Sequence, residues 1–298
     1  MTKLLLFTDI HFSNVHRNKL EETVKTSQWI IAQAEIEKPD LIIFLGDLFE
    51  TPETDAELLY IVKNFILTLS DIAPIKLLTG NHEILNEEEN KNLLYQIFNG
   101  FPNIEVIGYN LGYKIDFIKE EHLFLNYIPF YKSKDKLISV LNSVANSVKN
   151  RKNENSISFL FGHFDLLNTS YAELSQVDIT KPVDIKDFNE FYSVFDKIYL
   201  GHIHLRIISS NNKIEYIGST HNQNFKALNK QNKGIVILEI NNSKYTERFI
   251  ENPYNPVYKT MNSVEEFNNF PFDFDTCLLY TSDAADDMQC VDLGGRRI

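Results

Sequence analysis

The residues of this sequence that could do chemistry are mostly histidines and aspartates, gathered in five short segments. The segments read FTDIHF, FLGDLFE, TGNHE, FGHFD and LGHIHLR. They combine carboxylate, imidazole and amide oxygen without thiolate, a donor set that suits Mn²⁺, Fe or Zn²⁺ in a catalytic site better than a structural zinc. The candidate metal ligands are Asp9, His11, Asp47, Asn81, His163, His202 and His204.

The spacing within two of the segments favours a shared site. Asp9 and His11 form a D-x-H pair, and His202 and His204 form an H-x-H pair. Side chains two residues apart in extended backbone point to the same side, so each pair can reach one metal cluster. Taken singly, each segment is weak evidence for a metal site, because surface loops, turns and buried core histidines can have the same short sequences. All five segments together, each after a predicted strand, favour one metal centre.

The elements that must position these residues follow from the hydrophobic pattern. Short apolar runs predict buried strands at 3–9, 40–47 and 75–80. Apolar residues at helical spacing predict helices at 17–37, 54–70, 87–99 and 135–149. This alternation indicates a mainly parallel sheet with right-handed crossovers. In such sheets ligands bind at the carboxyl ends of the strands, which is where the five segments begin.

The second half of the chain is richer in strands. They are predicted at 104–107, 113–118, 122–128, 157–162, 197–201, 206–210, 214–218, 234–240 and 245–250. The asparagine pairs 211–212 and 241–242 are typical of hairpin turns. Two prolines indicate a linker at 251–262, followed by a short predicted helix at 263–269. Two packed sheets with helices outside, an α/β architecture, fit this order of elements.

The last 22 residues, Cys277 to Ile298, differ from the rest of the chain. They contain no Lys, no Asn and both cysteines, whereas the whole chain has 23 Lys against 6 Arg. That lysine bias is typical of an AT-rich genome, such as that of a phage, a prophage or a Firmicutes-like source. The segment resembles a sequencing adapter translated in frame, so we expect native sequence to run to about residue 276. The alternative is an unusual natural C-terminus.

Charge and composition exclude several classes of protein. A net charge of −12 argues against a nonspecific basic coat for nucleic acid, although an enzyme that grips phosphate through metal ions stays possible. No run of eighteen apolar residues is present, so no membrane span is expected. No secretory signal is recognised at the start, so a cytoplasmic location is expected. Two cysteines rule out a disulfide framework.

Over residues 1 to about 250, the series D-x-H, GD, GNHE, GH and GHIH resembles the motifs of the calcineurin-like metallophosphoesterase family. The resemblance implies a four-layer αββα sandwich of two mixed sheets that holds two divalent metal ions, with Mn²⁺ first and Fe or Zn²⁺ as alternatives. It also implies that one ion is held by Asp9, His11 and His204, that the other is held by Asn81, His163 and His202, and that Asp47 bridges them.

The same resemblance implies catalytic and substrate-binding residues. His82 would stay unbound and face the scissile phosphate as the catalytic histidine. Glu50 is a candidate to orient His82, with a solvated surface glutamate as an equal alternative, and Glu83 is a weaker candidate. Arg206 and His221 are candidates for substrate binding, although a plain sheet-edge charge would explain Arg206 equally well.

Two shorter stretches indicate which subfamily the chain resembles. The stretches GDLF at 46–49 and YIGS at 216–219 are similar to SbcD-type DNA repair nucleases and to their phage recombination relatives. That likeness implies a metallophosphoesterase domain at 1–250 and a linker with the start of a capping domain at 251–276. It further implies DNA as substrate, an SbcC-like coiled-coil ATPase as partner, and a possible homodimer. Candidates for the dimer contact are Leu58, Leu59, Val62 and Leu94, which fit a core position equally well.

Three functions stay open on the sequence. The first is a Mn²⁺-dependent DNA exo- or endonuclease subunit, which would take any ATP dependence from its partner because this chain has no G-x-x-x-x-G-K-[ST] loop. The second is a stand-alone phosphatase or small-molecule phosphodiesterase. The third is a non-catalytic scaffold subunit, which is disfavoured because every motif residue is intact.

Overall fold

The computed structural model describes residues 1–15, 17–86, 91–108, 112–166, 193–223, 232–261 and 276–280. Its helices are α1 (Arg17–Glu37), α2 (Ala56–Ile72), α3 (Leu93–Phe98) and α4 (Lys134–Lys149), with a 3-10 helix at Lys119–Glu121. Its strands are β1 (Thr2–Phe7), β2 (Leu41–Phe44), β3 (Ile75–Leu78), β4 (Ile84–Asn86), β5 (Lys91–Asn92), β6 (Ile104–Ile107), β7 (Lys114–Ile118), β8 (Leu123–Ile128), β9 (Ile157–Gly162), β10 (Lys197–Leu200), β11 (Ile207–Ile208), β12 (Ile214–Tyr216), β13 (Gly234–Asn241), β14 (Lys244–Glu251), β15 (Val257–Met261) and β16 (Thr276–Tyr280).

Two six-stranded mixed sheets form the body of the molecule. The first sheet has the order β14-β13-β1-β2-β3-β6, and the second has the order β11-β12-β10-β9-β8-β7. In the first, β1, β2, β3 and β6 run parallel, while β13 and β14 close one edge as an antiparallel hairpin. In the second, β8, β9, β10 and β12 run parallel between two antiparallel edge strands. In each sheet the carboxyl ends of the parallel strands lie at the same edge. A ligand-binding site can form at that edge.

Three hydrophobic layers hold the sheets and helices together. Because side chains alternate along a strand, β1 sends Leu5 and Phe7 toward α1 and α2 while Leu4 and Leu6 face the second sheet. The layer between the sheets also contains Phe159 from β9. On the far side, α4 packs its apolar stripe against the second sheet. The order of layers is helix, sheet, sheet, helix, so the four-layer αββα prediction is confirmed.

Most predicted elements lie within a few residues of the observed ones. One difference lies in the predicted linker at 251–262, where β15 forms and pairs in parallel with β16. The other is the third helix. The hydrophobic spacing predicts it at 87–99, whereas α3 covers only Leu93–Phe98. Asn92 caps its first turn, accepting a hydrogen bond from the N–H of Tyr95, and the preceding residues pair as β4 and β5. The predicted helix at 263–269 lies outside the described residues.

The apolar residues considered for a dimer contact mostly belong to the core. Leu58 and Val62 on α2 and Leu94 on α3 are buried, and Leu59 is partly buried against the same cluster. Among the described helices, none combines the length and the hydropathy that crossing a bilayer requires.

Candidate metal centre

The candidate ligands stand on loops that leave both sheets at the same edge. Asp9 and His11 follow β1 and Asp47 follows β2, whereas His163 follows β9 and His202 follows β10. Backbone hydrogen bonds join neighbouring loops: the N–H of Asp9 donates to the carbonyl of Gly46 at 3.0 Å. The sandwich therefore brings residues far apart in the sequence to one edge, as the parallel strands predicted.

Four of the candidate ligands have left-handed backbone conformations. The φ angle is 51° at Asp9, 55° at His11, 59° at Asp47 and 78° at His202. For residues other than glycine this region costs about 1–2 kcal/mol each, and it persists where the surrounding structure fixes the chain. The loops are therefore held in strained conformations that aim these side chains inward.

One group of donors surrounds Asp47. Oδ2 of Asp47 lies 3.0 Å from Nε2 of His163. The other ring nitrogen of His163, Nδ1, lies 2.6 Å from the carbonyl oxygen of Leu45, so in the neutral ring it carries the proton and leaves Nε2 bare. Oδ1 of Asn81 lies 3.1 Å from the same Nε2 and 2.9 Å from Nδ1 of His202. Lone pairs of oxygen and nitrogen therefore converge on one point, which is the arrangement that a cation requires.

A second group surrounds Asp9. Oδ1 of Asp9 lies 3.7 Å from Nε2 of His11 and 3.7 Å from Nε2 of His204. Nε2 of His11 is also 3.7 Å from Oδ2 of Asp47, so His11 faces both groups. The carboxylate of Asp9 is fixed from behind by the hydroxyl of Thr8 and by the backbone N–H of His202.

The chemistry of these donors fits metal ions. Three sets of side chains place one ligand atom each within 4.8 Å of one another: Asp9, His11 and His204; His11, Asp47 and His82; Asp47, His163 and His202. Nε2 of His11 faces Asp9 and Asp47 but is buried without a hydrogen-bond partner in the described structure. A buried polar atom without a partner is costly, and a cation between the groups would give this nitrogen one. The sets adjoin one another through His11 and Asp47, and such an arrangement suits two divalent ions.

The electrostatics of the metal-free site favour positive charge. Burial lowers the pKa of His163, but the charge of Asp47 raises it more, to about 9. Burial likewise lowers the pKa of His11, while the nearby carboxylates of Asp9, Glu50 and Asp47 raise it to about 10. Burial raises the pKa of Asp47, yet His163 and His11 hold it well below its usual range. The protons on His163 and His11 therefore occupy positions that metal ions would take over on binding.

His82 lies beside the two groups. Its backbone N–H donates to Oδ1 of Asp47 at 3.1 Å, and its ring stands edge-on to that of His11 at 4.7 Å between centroids. The expectation that the carboxylate of Glu50 orients His82 needs correction. That carboxylate lies 3.2 Å from Nδ1 of His11, which lowers the pKa of Glu50 to about 2. The backbone carbonyl of Glu50, rather than its side chain, contacts Nδ1 of His82.

The two predicted substrate-binding residues have structural partners. The guanidinium of Arg206 bonds to the fully buried carboxylate of Glu215 at 2.8 Å and lies over the ring of Phe249 at 4.1 Å. The alternative of a sheet-edge charge therefore describes Arg206 better. His221 is buried, and burial, followed by the nearby His11, lowers its pKa to about 3. A buried neutral imidazole is a poor contact for a phosphate.

Three neighbours of the site carry weaker signals in the sequence. Glu83 is fully buried and bonds to backbone N–H groups rather than to His82. Asp165 lies 3.5 Å from Nε2 of His202, and it is the last letter of FGHFD. Lys233 is buried and contacts the backbone carbonyl of His204. Nothing in the local sequence around Lys233 indicates this contact, because Lys233 lies directly before β13, far from His204 along the chain.

Comparisons with known proteins agree with this geometry. The family model described as calcineurin-like phosphoesterase matches residues 2–206. The SbcD component of the SbcCD nuclease from Staphylococcus saprophyticus is 28% identical over 264 residues, covering 83% of this chain and 68% of that protein. The SbcD component from Staphylococcus epidermidis is 26% identical over 295 residues, covering 88% of this chain and 76% of that protein.

The fold has a counterpart among solved structures. A dimetal phosphatase from Danio rerio superposes with a TM-score of 0.55 at 8% identity, covering 84% of this chain and 96% of that one. At that identity the likeness concerns the fold alone. The family match over more than half of the sequence, with the αββα layers and the His/Asp clusters at one sheet edge, shows that the chain belongs to the calcineurin-like phosphoesterase family, whose members use a dinuclear metal site.

Proposed function

We propose that this protein is a Mn²⁺-dependent phosphodiesterase that acts on DNA, as the nuclease subunit of an SbcCD-like repair or recombination complex. The observation that carries the proposal is the convergence of the two ligand sets on Asp47, whose Oδ2 lies 3.0 Å from His163 and 3.7 Å from His11. Two divalent ions there would polarise the phosphoryl oxygens and lower the pKa of the attacking water.

The roles of the ligands in this proposal come from the family resemblance, and the positions of the side chains are compatible with them. Asp9, His11 and His204 would hold one ion, while Asn81, His163 and His202 would hold the other. Asp47 faces both sets and would be the ligand common to both ions. Leu45 fixes the tautomer of His163 through its carbonyl, so Nε2 points inward. Oxygen and nitrogen ligands without thiolate suit Mn²⁺, with Fe or Zn²⁺ as alternatives.

His82 supplies the proton in this proposal. To give a proton, the ring of His82 would have to carry one on each nitrogen: the Nδ1 proton is directed at the carbonyl of Glu50, and the Nε2 proton would pass to the leaving alkoxide, which leaves the ring neutral. A leaving alkoxide needs a proton or a compensating charge, and a histidine directly after the ligand Asn81 is placed to give it. Glu50, bonded to His11, supports the neighbouring ligand.

The relatives support DNA as the substrate class. Both curated relatives are named as the SbcD component of the SbcCD nuclease. By analogy, a coiled-coil ATPase of the SbcC kind would open and present DNA ends, and the pair would act in the cytoplasm of a phage-infected or Firmicutes-like host. A homodimer of this chain is part of the same proposal.

The test compares substrates with and without the partner. Chelator-treated protein supplied with Mn²⁺ should hydrolyse bis-p-nitrophenyl phosphate, and Asp47→Ala should abolish the reaction. His122→Asn is the matched control, because His122 precedes β8 at the amino end of that strand. Adding an SbcC-like coiled-coil ATPase should raise cleavage of linear duplex DNA far more than hydrolysis of the small diester. Fe and Zn²⁺ in parallel reactions would identify the preferred metal.

A stand-alone phosphatase or small-molecule phosphodiesterase is the second candidate. The net charge of −12 favours it, because phosphate contacts by Lys and Arg supply most nonspecific DNA affinity. A preference for phosphomonoesters, with DNA left intact in the presence of the partner, would replace the nuclease proposal with this one.

A further inference from the structure

Glu83 has a buried carboxylate, and both of its oxygens accept hydrogen bonds from backbone N–H groups. Its side chain is 0% exposed, although glutamate is rarely buried without a partner. Oε1 accepts the N–H groups of Leu48 at 2.6 Å and Phe49 at 3.1 Å. Oε2 accepts those of Gly80 at 2.8 Å and Asp47 at 3.2 Å. All four of these hydrogen bonds come from the main chain, so the carboxylate acts on the backbone rather than on another side chain.

The four donors belong to the two loops that carry candidate ligands. Three of them are consecutive residues after β2, beginning with Asp47 itself, and the fourth immediately precedes Asn81. Glu83 is itself tied to the next element, because its backbone carbonyl accepts the N–H of Leu93 at 2.9 Å. One carboxylate therefore joins the loop after β2 to the loop after β3.

The conformation of Asp47 needs such a constraint. Its φ angle of 59° is unfavourable for aspartate, and it persists only where neighbouring bonds determine it. The loops also touch closely, since a Cβ added at Gly80 would overlap Oδ1 of Asp47. A small shift of either loop would move the oxygen of Asp47 or of Asn81 away from Nε2 of His163, which both oxygens face.

We propose that Glu83 is a positioning residue that sets the two ligand loops before metal binds. It holds the backbone of Asp47 and Gly80, so that the side chains of Asp47 and Asn81 meet the ions with their oxygens already in place. It touches neither the ions nor the substrate. The inference rests on the proposed function in one respect, which is that Asp47 and Asn81 are metal ligands.

The test measures Mn²⁺ affinity apart from stability. Glu83→Gln keeps the shape but turns one acceptor oxygen into a donor that faces backbone N–H groups. We expect Mn²⁺ to bind about 10- to 100-fold more weakly, as when outer partners of metal ligands are removed elsewhere. Free Mn²⁺ is measured by electron paramagnetic resonance, and the melting temperature of the metal-free protein is measured in parallel.

Glu215→Gln is the matched control. Glu215 is also 0% exposed, but its partners are Lys197 and Arg206 in the second sheet. It should lower the melting temperature and leave Mn²⁺ affinity within twofold of the wild type. Glu83→Asp keeps the charge with a shorter reach, and its Mn²⁺ affinity should fall between those of the wild type and Glu83→Gln.

The outcomes separate the two proposals. Unchanged Mn²⁺ affinity in Glu83→Gln, or in Glu83→Asp if the first variant does not fold, overturns the positioning role. Equal losses of affinity in Glu83→Gln and Glu215→Gln also overturn it, because general destabilisation would then explain both. A wild-type protein that binds no Mn²⁺ refutes the metal centre itself, and the proposed function with it.

Discussion

Nε2 of His163 lies 3.0 Å from Oδ2 of Asp47, while the opposite ring nitrogen of His163 faces the carbonyl of Leu45. In the neutral tautomer both facing atoms are hydrogen-bond acceptors, so the contact is stable only with a proton or a metal ion between them. Because of this contact, protons and metal ions should compete for the site.

Metal binding should release protons and strengthen as the pH rises. His163 and His11 have pKa values of about 9 and about 10 without metal, so both are protonated at neutral pH. Mn²⁺ must displace those protons, because a ligating imidazole is neutral. Calorimetric titration in buffers of different ionisation enthalpy should show net proton release, and affinity should rise from pH 6.5 toward pH 9. A heat of binding that does not depend on the buffer would contradict this.

Metal content should separate the roles of His82 and Asp47. His82→Ala should abolish phosphodiester turnover and leave metal content nearly intact, because the proposal assigns both ions to other side chains and gives His82, which lies within ligand distance of His11 and Asp47, the proton transfer. Asp47→Ala should lose metal as well, because Asp47 faces both sets. Elemental analysis of both purified variants decides the matter. Equal metal loss in the two variants would assign His82 as a ligand.

Gly80→Ala should disrupt the centre by crowding Asp47. A methyl group at this position would overlap Oδ1 and the backbone nitrogen of Asp47. We expect Mn²⁺ affinity to fall by at least about tenfold. Gly100→Ala is the control: it has a φ angle of 86° but no neighbour within 4 Å of the added carbon. It should cost about 1 kcal/mol of stability and leave Mn²⁺ affinity unchanged.

Arg206→Ala should affect stability rather than substrate binding. The variant leaves the buried carboxylate of Glu215 with Lys197, whose Nζ lies 3.1 Å away. Loss of the bonds to Glu215 should lower the free energy of unfolding by about 1–3 kcal/mol. KM for a small diester should stay within twofold. A large rise in KM with unchanged stability would restore the substrate-binding interpretation.

Removal of residues 277–298 should leave the chemistry intact. The candidate ligands and His82 all lie between Asp9 and His204, and the described part of the tail pairs only with β15. Hydrolysis of bis-p-nitrophenyl phosphate by the shortened chain should stay within twofold of the starting protein. A loss of Mn²⁺ content on this deletion would show that the tail supports the centre.

The hydrophobic pattern by itself determined the layers and the edge where the candidate ligands gather. Short apolar runs ending in polar residues have few alternatives to buried strands, and a parallel strand that ends in Asp9 or Asp47 delivers that residue to the carboxyl edge. The spacing within D-x-H and H-x-H predicted that each pair acts together, but the backbone is left-handed at Asp9, His11 and His202, so the loops rather than the strand period bring these side chains together.

The partners of individual side chains were decided only by the tertiary structure. Glu50 bonds to His11 because the loop after β2 turns its side chain toward β1, and Arg206 is held by Glu215 on the paired strand β12. Glu83 stands next to His82 in the sequence, yet it bonds to the loop after β2. A sequence shows which groups are available, whereas their distances depend on how two sheets pack. Hydrogen bonds act only over about 3 Å, so the packing alone selects among the partners.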